Sequence, residues 1–175
     1  IINSYLGLGV CFKSIGNIEE GMKYYNKAMN KSILSNNYSL NNILLSIGNI
    51  HAEIGEYEKA IKYYSDALKL EQPKNEKILI IYNLGAAYQM LEQYEKANSF
   101  LNESYELALA FKDVYSQFYA TSALVNNYID LCQEKSSFQF LEIEKKISHE
   151  IGYNYYEAAY FYDYARFNDK FIKLK

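Results

Sequence analysis

A small residue returns at nearly constant interval along this chain, each time inside the same apolar pattern. Gly9, Gly48, Gly85 and Val125 lie 39, 37 and 40 residues apart. Around each stands a set spaced i, i+3, i+4, i+7: Tyr5, Leu8, Gly9, Phe12; then Leu44, Ile47, Gly48, His51; then Ile81, Leu84, Gly85, Tyr88; then, more weakly, Thr121, Leu124, Val125, Tyr128. That spacing marks one face of a helix. A period near 38 residues indicates stacked helix pairs. Few other architectures fit, because each unit is too small to bury its own apolar face and must borrow a neighbour's.

A second apolar set follows each first one: Ile18, Gly21, Tyr25, Ala28; Tyr57, Ala60, Tyr64, Ala67; and Tyr94, Ala97, Leu101, Ser104. The small residues belong where two helices cross. Paired helices usually sit about 8–10 Å apart, depending on the contacting side chains. Glycine within a helix costs roughly 1 kcal/mol against alanine, so Gly9, Gly48 and Gly85 are expected to recover that cost through close packing. Gly16 and Gly55 are placed to end the first helices in the left-handed conformation. Glu19, Glu20, Glu56 and Glu58 then fall where the next helix begins and its dipole favours anions. Polar stretches at Ser35-Asn36-Asn37, Gln72 to Glu76, Phe111-Lys112-Asp113 and Gly152-Tyr153-Asn154 read as turns between units. The expected fold is all-α: a solenoid of antiparallel helix pairs, one domain over 1–175. Its repeats run near 3–37, 41–76, 78–113 and 117–152, and a partial unit covers 153–175. The chain opens inside a periodic pattern without an initiator methionine and is read as an excerpt of a larger protein.

Residues 44–70, LLSIGNIHAEIGEYEKAIKYYSDALKL, and 81–104 carry the order of residues that resembles a tetratricopeptide repeat. The likeness is strongest over 41–104, fair over 3–34 and weak over 119–151. The resemblance implies a right-handed superhelical solenoid, and because the family's repeat is shorter it also implies extended second helices here. Ser137 and Glu144 stand where that family prefers alanine, so the fourth pairing is expected to be looser or shifted in register. Segment 153–167, YNYYEAAYFYDYARF, resembles the opening helix of a fifth unit.

Charge and composition exclude several functions. The net charge is −3, and Arg166 is the sole arginine, which argues against a groove for nucleic acid. No apolar run approaches the length of a membrane span, and no signal peptide is evident, so a cytoplasmic location is expected. Cys11 and Cys132 are far apart beside apolar neighbours and are expected to be reduced and half-buried. Gly7-Leu8-Gly9 lacks the third glycine and preceding strand of a nucleotide motif. His149-Glu150 is followed by Tyr153 where a second metal ligand would be needed. His51 occupies the place held by Phe12, Tyr88 and Tyr128 and reads as a packed core histidine. Two histidines and two cysteines on separate units argue against a metal centre. No nucleophile–base set can be assembled, so neither an enzyme nor a cofactor is expected.

The tyrosines are mostly structural on this reading, since a ring can be buried while its hydroxyl stays wet. In Tyr24-Tyr25 and Tyr63-Tyr64 one ring is expected inward and its neighbour outward. The 153–167 cluster is open to two readings, packing of a terminal helix or a ligand or dimer contact. The face of each first helix away from its partner carries Asn42, Leu45 and Asn49 in the second unit. It carries Leu79, Tyr82, Asn83 and Gln89 in the third, and Tyr119 and Asn126 in the fourth. A carboxamide both donates and accepts, so these asparagines could grip the backbone of an extended peptide while Leu45, Leu79 and Tyr82 meet its side chains. An asparagine-rich composition would also scatter such residues without function.

The resemblance implies a non-catalytic module whose concave groove holds a short peptide or protein segment, with a homodimer as a further partner. Long repeats of this kind are similar to the sensor region of bacterial cytosolic regulators that respond to imported signalling peptides. The alternative is a scaffold or input region of a larger signalling enzyme, such as a cyclase or kinase.

Overall fold

Proline and runs of β-branched residues are scarce in this sequence, so little interrupts α-helix once it starts. In the computed structural model of the chain, residues 1–35, 40–71 and 73–173 are described. The turn residues expected at Asn36, Asn37 and Gln72 lie outside them. The described residues form α1 (Ile2–Ser14), α2 (Ile18–Ser35), α3 (Leu40–Glu53), α4 (Tyr57–Leu68), α5 (Lys74–Met90), α6 (Tyr94–Ala110), α7 (Val114–Asp130), α8 (Glu134–Ile151) and α9 (Asn154–Phe171). No strand occurs among them. The single proline, Pro73, stands just ahead of α5, where its carbonyl accepts from the Lys77 amide at 3.0 Å. A proline there needs no amide hydrogen.

The chain falls into two compact units, 1–80 and 81–175, with the boundary inside α5. In the first unit Tyr25, Ala28, Ile43, Ile47 and Ile50 form the core. The Asn41 amide, itself buried, donates to Glu76 and ties α3 to the start of α5. In the second unit Ala97, Leu101 and Leu124 form one cluster, and Val125, Ile129, Leu141, Tyr160 and Phe167 another. Here α7 touches α6, α8 and α9, and α9 also lies against α8.

The small residues lie at the helix crossings. A Cβ on Gly48 would stand 2.5 Å from Cε1 of the buried Tyr64, and one on Gly85 would stand 2.7 Å from Cγ of Leu101. Gly9 faces the Tyr25 ring in the same way, at 3.0 Å. Beside each crossing two rings stack, with centroids 5.4 Å apart for Phe12 and Tyr24, 5.3 Å for His51 and Tyr63, 5.5 Å for Tyr88 and Phe100, and 5.5 Å for Tyr128 and Phe140. The spacing between partners is the same in every pair, so one contact is repeated four times by one phase of the sequence. His51 is therefore a stacking residue, and its Nδ1 also meets Glu56 Oε2 at 2.6 Å.

The turns repeat one geometry. After α1, α3, α5, α6 and α7, a residue at positive φ is followed by an amide that reaches back five positions: Asn17 to Phe12, Glu56 to His51, Gln93 to Tyr88, Asp113 to Ala108 and Gln133 to Tyr128. This pattern satisfies carbonyls that a helix end would otherwise leave without donors. Gly16 and Gly55 take it as expected at φ 79°, but Glu92, Lys112 and Cys132 take it too, at 57°, 57° and 56°.

Four expectations need correction. Cys11 and Cys132 are exposed, not half-buried, because Cys132 sits at a turn and Cys11 on the outer side of α1. The extra repeat length is shared: α6 and α8 run 17 and 18 residues, but α4 only 12, while the first helices α5 and α7 also reach 17. The fourth pairing is not loosened, since Ser137 and Glu144 are fully buried and the Ser137 hydroxyl turns back onto the Gln133 and Glu134 carbonyls. The outer rings Tyr24 and Tyr63 do not simply face water, because they form the stacks above.

Candidate functional site

The second unit holds a cleft of about 520 Å³ formed by α5, α7 and α9 and by the turn into α6. It lies on the first-helix face that carries the recurring polar residues. Tyr82, Gln89, Tyr119 and Asn126, all singled out by sequence phase, line it together. The Tyr82 and Tyr119 rings meet at a tilt with centroids 6.3 Å apart, and Tyr94 and Tyr162 add further rings. Burial, and then the nearby Tyr155, raises the Tyr82 hydroxyl above its ordinary pKa.

A polar network forms the other side. The Asn126 carboxamide donates to the Ser122 carbonyl at 2.9 Å and to Asp163 Oδ1 at 3.0 Å, and its oxygen accepts from Arg166. Arg166 also donates to Asp130 Oδ1 at 3.0 Å. The Ser122 hydroxyl donates to Asp163 Oδ2 at 2.6 Å. Asp163 is 2% exposed and Glu144 is 0% exposed. Burial, and then the charge of Asp163, pushes the Glu144 carboxyl up to about 9, so at neutral pH it stays protonated. Ionising two carboxyls side by side in a poorly solvated interior is the costly alternative.

The remaining predicted positions divide. Asn42 is exposed, and Leu79 is 46% exposed on the part of α5 in the first unit. Leu45 is 8% exposed and belongs to the core, so it offers little surface to a ligand. Asn49 is half-buried and accepts from the Tyr64 hydroxyl at 2.8 Å. Asn83 is half-buried and also has a partner. A ladder of unoccupied carboxamides is therefore not what these asparagines form. Asn49 fixes the ring that fills the Gly48 crossing, and Asn126 brackets Arg166. Asn127, fully buried, donates to Asn98 Oδ1 at 3.0 Å between α7 and α6.

Arg166, Asp163 and Glu144 were missed by sequence reasoning. Arg166 carried a signal, since it lies 40 residues after Asn126, one repeat on at the same phase. Glu144 carried one too, since it stands where the family prefers alanine at a packed position, but Asp163 carried none, because nothing in a sequence tells a buried carboxyl from a solvated one. Among the described residues no three His, Cys, Asp or Glu side chains gather to hold a metal ion, and no helix is long and apolar enough to cross a membrane.

Comparison with known proteins agrees with this geometry. Residues 39–110 match a family model described as tetratricopeptide repeat, and residues 2–30 match a second of the same description. No curated protein sequence matches the chain. Among solved structures, a kinesin light chain from Podosopora anserina with nearly identical TPR-like repeats superposes with a TM-score of 0.78 at 15% identity, over 97% of this chain and 86% of that one. The Cut9-Hcn1 hetero-tetramer gives 0.68 at 20% identity, over 91% of this chain and 29% of the other. YrrB gives 0.54 at 19% identity, over 95% and 84%. At these identities the likeness is one of fold.

Proposed function

Because the chain belongs to the tetratricopeptide-repeat family, we propose that it is a non-catalytic module whose second-unit cleft holds an extended peptide or a segment of a partner protein. Proteins built of this repeat are typically interaction modules. The observation that carries the reading is the cleft itself: four tyrosine rings beside a polar network. Aromatic rings supply contact area, and a few placed polar groups fix orientation. One structural neighbour, YrrB, is described as having an unusual peptide-binding site, which supports the same use here.

The finer form of the proposal makes the chain the ligand-sensing region of a bacterial cytosolic signalling or transcription regulator. Its support is the similarity of these long repeats to the peptide-responsive regulators of that kind.

A test uses random decapeptides mixed with the chain, separated by gel filtration and identified by mass spectrometry. Replacing Gln89 and Tyr119 with alanine, both in the cleft and neither in the core, should lower peptide retention at least about tenfold, as for loss of a hot spot. The melting temperature should stay within about 4 °C. Undiminished retention by a folded variant would contradict the reading.

A further inference from the structure

The charges in the cleft do not balance. Its lining contains the carboxylates of Glu92 and Asp130 and one cation, Arg166. No lysine lines it. Arg166 is already engaged, since its guanidinium donates to Asp130 and to the Asn126 oxygen. Behind the lining, Asp163 receives hydrogen bonds from the neutral donors Ser122 and Asn126. Glu144 beside it stays protonated and adds no charge at neutral pH. Desolvation, and then Asp130 and Glu92, hold the Tyr94 hydroxyl above its ordinary value, with Arg166 opposing them. The cleft is therefore aromatic and electronegative.

Those features select for charge. An acidic side chain entering the cleft would have to take Arg166 from Asp130 and would then face Glu92. A cation gains nothing from Asp130, which Arg166 already holds, but can pair with the exposed Glu92 without breaking that bond. Ring faces attract cations through their quadrupole, and carboxylates set among rings strengthen that field where water is partly excluded. Tyr162, 67% exposed, and Tyr119, 41% exposed, present ring surface at the cleft beside Glu92 and Asp130.

We propose that the cleft recognises its segment through a cationic side chain, lysine or arginine, seated among Tyr119, Tyr162 and Glu92. The inference rests on the peptide-binding reading and names the class of ligand. The bonds from Asp130 and Asn126 hold Arg166 as a structural strut of the cleft wall, not as an anion receptor.

The test uses three immobilised decapeptide libraries, randomised except at two central positions that are both lysine, both glutamate or both glutamine. Binding of the 175-residue chain to each is measured at low and at moderate salt. The lysine library should bind at least about tenfold more tightly than the glutamate library, with a smaller margin at moderate salt. Glu92→Gln and Tyr162→Leu, both at exposed positions, should each cut that preference at least about threefold. Tighter binding of the glutamate library, abolished by Arg166→Gln, would overturn the inference. So would equal binding of all three libraries that is lost in the Gln89→Ala, Tyr119→Ala variant, which leaves the peptide-binding reading standing. Binding of no library overturns the peptide-binding reading and this inference with it.

Discussion

Gly48 and Gly7 are both helical glycines, yet opposite effects are expected from the same substitution. A methyl at Gly48 would stand 2.5 Å from the Tyr64 ring, which is buried and held by its hydrogen bond to Asn49. At Gly7 a methyl would meet nothing within 4 Å. Gly48→Ala should lower stability by about 1–3 kcal/mol, the overpacking cost exceeding the helix-propensity gain, while Gly7→Ala should raise it by about 0.5–1 kcal/mol. Urea titration of the two variants distinguishes them, and a stabilised Gly48→Ala would refute the crossing. Glu144 gives the second prediction at this scale. Its folded-state pKa, about 9, lies above the ordinary 4.5. Between those values the folded chain holds a proton that the unfolded chain has lost. Stability should thus fall as pH rises from about 5 toward 9, with a slope approaching 1.4 kcal/mol per pH unit at most, roughly. Glu144→Gln should flatten that slope and raise stability at pH 8. An unchanged pH profile in the variant would show that Glu144 is not the group responsible.

Helices and turns were the part most open to reading from sequence, and the reason is periodicity. Gly9, Gly48 and Gly85 carry their crossing partners at fixed distance along the chain, so one alignment locates pairs, faces and turns together. The stacks at Phe12, His51, Tyr88 and Tyr128 share that phase and follow from it. What periodicity did not show was the conformation of turns that lack glycine. Glu92, Lys112 and Cys132 adopt the geometry of Gly16 and Gly55, because the helix-end hydrogen bonds and the packing of the next helix outweigh the strain of a left-handed residue, roughly 1–2 kcal/mol. Lys112 has an exposed side chain, so Lys112→Gly should relieve that strain and stabilise the chain by up to about 1 kcal/mol. Gly55→Ala, at φ 79°, should lose a similar amount. Thermal unfolding measures both, and a destabilised Lys112→Gly would mean that its side chain contributes more than the strain costs.

Across the whole chain, the candidate site was legible in part. The phase that marks the face away from the second helices placed Tyr82, Gln89, Tyr119 and Asn126 in one cleft. It could not foresee that Asn126 would be consumed in holding Arg166, or that Leu45 would be core, because phase gives direction and not depth. Other asparagines make internal ties, such as Asn127 to Asn98 and Asn41 to Glu76. The proposed binding of an extended segment in this cleft of the second unit would cover its tyrosine rings. Hydroxyl-radical footprinting with and without a saturating captured peptide tests it most directly. Oxidation of Tyr82, Tyr119 and Tyr162 should fall at least about threefold on binding, as their solvent exposure is lost, while the exposed Phe138 and Phe111, outside the cleft lining, react as before. Unchanged oxidation of the cleft tyrosines in the presence of bound peptide would contradict it.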